Sequence, residues 1–353
     1  MQKNSFWDTL ATPIIGLSPM DGLTDHPFRH IQKKYGNPTI MYTEFTSVEG
    51  VCHGATQLLK DFLFDETQRP LIAQIYGTTP SYFRQTAILL CQLGFDGIDI
   101  NMGCPAKNVA HSGAGAALIK TPRLAQEIIA ATKQGVIDWQ NGMRVKDCPD
   151  LRSGIVAEIE RRQALLPETF TQTREVPVSV KTRVGYHEPV ISEWIPTLLE
   201  MEPAAIALHG RTLQQQYGGL ASWELIGQAA EIVHTTQTKI LGNGDLATLE
   251  MAKERIEQYK TDGVLIGRGS LGDPYIFRSR SENDPSIYQI AVEHAALFED
   301  TYKTEDKYSF LPMRKHLAWY VKSIPFASEV RSELVRAETA AAVAAIFSKH
   351  KLL

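Results

Sequence analysis

Long apolar runs are missing from this 353-residue chain. No stretch is long enough to span a bilayer, and residues 1–13 lack the apolar core of a signal peptide. Cysteine is scarce: Cys52, Cys91, Cys104 and Cys148 form no CxxC pair and no framework spacing, which suits a reducing compartment. No metal-ligand set is expected. Excess positive charge is absent too. The 36 Lys and Arg against 40 Asp and Glu give −4, so any nucleic-acid contact must come from a local patch. No GxGxxG follows the first candidate strand, which weakens an open dinucleotide-binding sheet. The remaining composition, 43% apolar and 22% charged, excludes a disordered or fibrous chain. These absences predict a soluble, cytoplasmic, monomeric protein with no membrane contact.

What is present is a rhythm. Eight short β-branched or apolar runs occur at 14–20, 39–45, 71–76, 97–101, 176–182, 204–209, 239–243 and 263–267. Helix-like stretches separate them, among them 80–93, 122–133, 192–201, 223–234 and 248–258. Strands alternating with helices predict a parallel sheet, and eight such units predict a closed (β/α)8 TIM barrel over 1–280. One connection is too long. Residues 134–175, with Leu151, Ile155, Ile159 and Gln163 at helical spacing, read as a peripheral helical insert. Arg161, Arg162 and Arg174 in it read as a solvated face sooner than a docking surface. After Phe277 the strand pattern stops. Runs 286–302, 313–324 and 329–349 predict three helices in a small domain over 281–353. That domain is relatively basic, through residues such as Lys303, Lys307, Arg314, Lys315, Lys322, Arg331 and Arg336, with Tyr308, Trp319 and Tyr320 as aromatic surface candidates. Such a surface beside a barrel mouth could hold RNA phosphates.

Nearly every predicted strand ends in a ligand-binding or reactive residue. The first gives Ser18-Pro19-Met20-Asp21-Gly22, the third Gln74, the fourth Asn101 and Cys104. The fifth gives Lys181 and Arg183, the sixth His209 and Arg211, the seventh Asn243-Gly244-Asp245 and the eighth Gly267-Arg268-Gly269. A single buried His or Lys usually has a structural explanation. Seven strand ends do not, and this barrel places its chemistry on the face those ends form. The central stretch is DGIDINMGCPAKNVAHSGAGAA, residues 96–117, in which a strand breaks into a loop whose glycines allow sharp turns around Cys104. The loops after the last two strands, around Asn243-Gly244-Asp245 and Gly267-Arg268, sit where barrels commonly bind phosphate. A phosphate site with Gln74, Lys181 and His209 suits a flavin mononucleotide. It would equally suit a sugar phosphate in a lyase or isomerase, and spacing does not separate the two.

SPMDGLTDHPFR (18–29), TEFTSVEGV (43–51), AQIYG (73–77), DINMGCPAKNVAHSGAGAALIKTP (99–122), VSVKTRVG (178–185), LHGRT (208–212), GNGDL (242–246), GVLIGRGSLGDPYIF (263–277) and MRKHLAWYVKSIPFASEVR (313–331) closely resemble the tRNA-dihydrouridine synthase family. The resemblance covers essentially the whole chain except 134–175. Ser18 departs from a common Ala, and Pro325-Phe326-Ala327 from a usual Pro-Gly-Ala. It implies reduction of uridine in tRNA to 5,6-dihydrouridine with FMN, and NADPH (or NADH) as reductant. Hydride would pass from reduced flavin to C6, and a proton from Cys104 to C5. By the same carry-over Ser18, Pro19, Met20, Gln74, Lys181, His209, Asn243, Gly244, Asp245, Gly267 and Arg268 bind the flavin. Asn101, Arg183 and Arg211 contact substrate. An unperturbed thiol, with a pKa of about 8.5, is protonated at neutral pH, as an acid must be, and Lys107 nearby could lower that value. The competing readings are a flavoenzyme for a free small molecule and a non-catalytic RNA-binding barrel.

Overall fold

A computed structural model describes residues 5–216, 218–304, 308–322 and 324–353, and of Lys107 the backbone alone. The expectations for the Lys107 side chain and for Lys307 therefore lie outside the described residues. Eight parallel strands close a barrel in sequence order, β1-β2-β3-β4-β5-β6-β7-β8. They are β1 Ile14–Leu17, β2 Met41–Ser47, β3 Leu71–Tyr76, β4 Gly97–Met102, β5 Val178–Gly185, β6 Ala205–Thr212, β7 Lys239–Asn243 and β8 Gly263–Ile266. Each falls on an expected run. Around them lie α1 His26–Gly36, α2 Val48–Cys52, α3 Pro80–Gln92, α4 Lys107–His111, α5 Pro122–Gln140, α6 Ser153–Gln163 and α7 Glu168–Thr171. Then follow α8 Ile191–Leu199, α9 Trp223–Val233 and α10 Leu249–Tyr259. Starts are set locally: Asp25, Ser222 and Thr248 cap α1, α9 and α10 by accepting backbone N–H groups.

Strand alternation sorts the apolar residues into two cores. Ile15, Leu17, Ile98, Ile100, Val180, Leu208 and Ile240 face the helices and join the large outer core. Ile14, Ile40, Ile72, Ala205, Leu241 and Leu265 form a separate cluster with Tyr42 and Trp7, filling the lower interior of the barrel. Above that plug Ile72 is followed on its face by Gln74 and Leu241 by Asn243.

The insert is more tightly bound than its sequence suggests. Helix α5 runs on to Gln140, and Val145, Cys148, Leu151, Ile155 and Ile159 are buried in the outer core. Gln85 and Gln92 of α3 hydrogen-bond Asp150 and Gln163, and Arg162 donates to Leu59 O at 2.7 Å, on the connection leaving β2. Its arginines are mostly structural. Arg162 and Arg161 share Glu158, while Arg174 donates to Phe95 O at 2.7 Å and lies over the Phe170 ring.

Helices α11 Ile287–Tyr302, α12 Leu311–Tyr320, α13 Ala327–Leu334 and α14 Ala340–Lys349 form the C-terminal domain around a core of their own. The third expected helix is two. Arg314 Nε takes the Ala337 carbonyl at 2.8 Å, and the Thr339 hydroxyl caps α14. The first occupies a carbonyl that a continuing helix would use, and the second starts a new helix. Tyr320 is buried and so supplies no aromatic surface, while Trp319 is half-buried against the barrel. The seam with the barrel runs along α1. Tyr35 Oη and Lys34 Nζ both bind Glu293, at 2.5 and 2.8 Å. Phe28 packs on His294 and His316, and Lys322 donates to Leu271 O. Among the described residues no helix is long and apolar enough to cross a membrane.

Candidate functional site

The upper interior of the barrel is built by residues spaced two apart on successive strands. On β4, Asp99 and Asn101 share one face, as do Ser179 and Lys181 on β5, while Gln74 pairs in register with Asp99, and Asn101 with Lys181. The polar groups satisfy one another. Ser179 Oγ donates to Asp99 Oδ1 at 2.6 Å, Gln74 Nε2 donates to Asp99 Oδ2 at 2.6 Å, and Asn101 Nδ2 donates to Gln74 Oε1 at 3.0 Å. Asn101 Oδ1 then accepts the backbone N–H groups of Gly103 and Cys104 at 3.0 and 2.9 Å. The sequence pointed to Gln74 and Asn101 but missed Asp99 and Ser179. Their signal was the two-residue spacing from Asn101 and Lys181, which places them one layer deeper on the same face.

Cys104 sits on the loop between β4 and α4, 9% exposed, against Val109, Ala114, Phe45 and Tyr76. Gly115 folds the loop back beneath it. At φ +60° it occupies the left-handed region, and a Cβ there would meet Val109 at 2.9 Å and the Cys104 carbonyl at 3.0 Å. Burial pushes the Cys104 thiol up from its ordinary value and Asp21 adds to the rise, against smaller lowering by the Ala106 N–H and by Arg183 and Lys181. The thiol is neutral at physiological pH.

The neighbouring floor is cationic. Lys181 Nζ donates to Asn243 Oδ1 at 3.1 Å, and Asn243 Nδ2 donates to Leu265 O at 2.8 Å. Burial, reinforced by Arg183, lowers the Lys181 ammonium to about 8. His209 is held well below its ordinary value by burial and by Arg183, Lys181, Arg211 and Arg268, so it is neutral. Gly244, at φ +129°, passes His209 so closely that a Cβ would lie 2.6 Å from Ala221 and 3.1 Å from the imidazole. At Gly267 the nearest atoms to a Cβ are Met20 Sδ at 3.5 Å and Ser18 Cβ at 3.6 Å. Ser18, next to Pro19, is buried, with its N–H on Ile266 O.

The three arginines part company. Arg183 is 2% exposed; its Nε donates to Gly103 O at 2.6 Å and its Nη1 to the carbonyls of Thr212 and Gln216. Arg211 is equally buried, its Nη2 donating to both Asp245 oxygens at 2.7 and 2.8 Å and to the Gly219 carbonyl. These two brace the thiol loop and the turn after β7. Arg268 is the most exposed of the three, with its side chain 56% exposed and its Nη2 at 3.3 Å from Asp245 Oδ1. Asp245 thus aims two guanidinium groups, Arg211 and Arg268.

Near Met20 lies a set of carboxyls that sequence reading did not single out. Burial raises Glu44 to about 8, helped by Asp25 and Asp61, each raised by burial to about 6. Glu44 accepts the Leu23 N–H at 3.0 Å, and buried Arg29 spans the region to Gln68 and the Thr24 and Leu63 carbonyls.

Residues 16–146 and 164–352 match the family described as Dihydrouridine synthase (Dus). The unmatched gap, 147–163, is the heart of the insert. A probable tRNA-dihydrouridine synthase of Staphylococcus aureus (strain COL) is 33% identical over 356 residues, spanning 98% of this chain and 96% of that protein. The probable tRNA-dihydrouridine synthase 2 of Bacillus subtilis (strain 168) is 31% identical over 349 residues, spanning 97% and 95%. An old yellow enzyme homologue of Zymomonas mobilis, 13% identical with a TM-score of 0.40 over 74% of this chain and 86% of that one, is too remote to argue from.

Proposed function

This chain belongs to the dihydrouridine synthase family, and we propose that it reduces uridines in tRNA to 5,6-dihydrouridine. FMN is the resident cofactor in this reading, NADPH or NADH the reductant, and Cys104 the proton donor. The carrying observation is a buried thiol on the loop after β4, held through Asn101 beside the strand ends that carry Gln74, Lys181 and Asn243.

The residues present fit a flavin. Gln74 and Asn101 offer amide groups, Lys181 a cation, Asn243 an amide and His209 a neutral imidazole, all around the upper interior. Gly267 leaves the space beside Met20 and Ser18 free of side chain, and the partly exposed Arg268 guanidinium stands on the same loop as a cation for a phosphate. FMN, when bound there, would supply hydride to the pyrimidine ring. Lys181 would stabilise negative charge on the cofactor, its own charge acting where water is largely excluded. Asp245 holds Arg268 toward the phosphate end and locks Arg211. Arg183 fixes the carbonyl of Gly103 and so the approach of Cys104, whose Sγ–H gives its proton to uracil C5. Asn101 holds the loop backbone and presents its remaining amide N–H to the base.

A base inside a folded tRNA reaches such a pocket only when flipped out of its stack, at a cost of a few kcal/mol. Contacts to phosphates beyond the barrel must repay that cost, and the helical domain along α1 is the surface adjoining the rim. The reading is tested by mapping dihydrouridine at every tRNA position in cells with and without the gene. Loss at one or two positions sustains it. Unchanged content, together with a purified protein lacking flavin absorbance, overturns it.

A further inference from the structure

We propose that Asp99 is the positioning residue that sets the hydrogen-bond polarity of the upper barrel and, through Gln74 and Asn101, the geometry of the Cys104 loop. Asp99 touches neither the thiol nor the rim and is fully buried on β4. The chain of hydrogen bonds is anchored at both ends, by Asp99, which only accepts, and by the Gly103 and Cys104 N–H groups, which only donate, and the two amides between must match both.

An amide side chain can be turned either way round, and its environment alone decides which end donates. A carboxylate only accepts. Burial raises Asp99 to about 6, opposed by hydrogen bonds from Ser179 and Gln74 and the charge of Lys181, so it is ionised at neutral pH. With Oδ1 receiving Ser179 and Oδ2 facing Gln74, the Gln74 NH2 must point at Asp99. Gln74 Oε1 must then face β4, where it can meet only the donor end of Asn101. Asn101 Oδ1 is thereby left to accept the N–H groups of Gly103 and Cys104, which pins the backbone that carries the thiol. Reversing the Asp99 end would reverse each amide in turn and put the Asn101 NH2 against two backbone donors. Ser179 completes the device by holding the carboxylate in its rotamer.

The link to turnover rests on the reading above, but the geometric claim does not, so two readouts are needed. One is the rate of iodoacetamide labelling of Cys104 in the purified holoenzyme, mapped by mass spectrometry. Cys52, Cys91 and Cys148 are buried with raised pKa values and form the internal reference. The other is tRNA reduction, separated into kcat and KM. Asp99→Leu, which keeps the branching at Cγ but is bulkier and offers no acceptor, should speed labelling about tenfold and lower kcat about 100-fold with KM for tRNA little changed. Asp99→Asn keeps an acceptor for Gln74, and Ser179 can turn its hydroxyl toward the Ile98 carbonyl, so this variant should recover most of both.

Labelling of Asp99→Leu at the parental rate would overturn the proposal. If that variant does not fold, Gln74→Glu sets two carboxylates against each other, and Gln74→Glu/Asp99→Asn restores a donor between them. Return of parental labelling in the pair supports the proposal, and its absence sinks it. Labelling changes as expected in a protein whose parent reduces no tRNA would sustain Asp99 and reject the functional reading.

Discussion

The barrel interior changes character halfway up. Below, Ile14, Ile40, Ile72, Ala205, Leu241 and Leu265 close around Trp7 as a dry plug. Above, the same inward-facing positions carry Gln74, Asp99, Asn101, Ser179, Lys181, His209 and Asn243, of which only some find charge partners. The lower half is what a barrel needs to stay closed. The upper half is costly, since each buried polar group forfeits hydration and must be repaid by a hydrogen bond. The difference teaches that stability and chemistry are divided by height along the strands, with the same period-two pattern serving both.

The comparison breaks hardest at the rim. Cys104→Ala should lower tRNA reduction about 10²–10⁴-fold, the usual worth of a placed general acid, while flavin absorbance is retained. Full turnover in that variant would remove Cys104 from the acid role. Next is Lys181→Met, expected to cost about 10²-fold in the flavin-dependent step. Because the folded Lys181 titrates near 8, its charge is present below that pH and lost above it. Flavin affinity measured against pH should therefore fall as pH rises through about 8 in the parent, and show no such limb in the variant.

The lower half should answer differently. Ile72→Ala should cost about 2–5 kcal/mol in denaturant unfolding, with turnover per folded molecule unchanged. A fall in turnover would mean that the two halves are coupled. The smallest effect sharpens the boundary at Glu44. Its folded pKa, near 8, lies above its ordinary value, so its contribution is favourable at low pH and is lost as pH rises through about 8. Glu44→Gln keeps the acceptor for the Leu23 N–H and should raise Tm by about 2–4 °C at pH 8, with the gain fading toward pH 5.

Much of this was legible in the residues. The eight strands could be read because β-branched runs recur between turn signals, and the site because strand ends carried Gln74, Cys104, Lys181, His209 and Asn243. What stayed hidden depends on partners distant in the chain. Arg183 and Arg211 look like free cations until the carbonyls of Gly103, Gly219 and Thr212 and the Asp245 carboxylate are seen around them. Arg162 and Arg174 were hidden in the same way by Leu59 and Phe95. The split between α13 and α14 was invisible because a side chain from α12 takes the carbonyl that would have continued the helix.

The seam along α1 carries a last consequence. One helix serves both as a wall of the barrel and as the bed of the C-terminal domain, bolted by Tyr35 and Lys34 to Glu293 and packed through Phe28. The separation between the thiol and any phosphate grip on α11–α14 is therefore a fixed length, as in a carpenter's marking gauge. On the proposed reading, a substrate presented to such a tool would be marked where its own contour brings a base to the scribe. Selection among many similar bases then needs no reading of their letters.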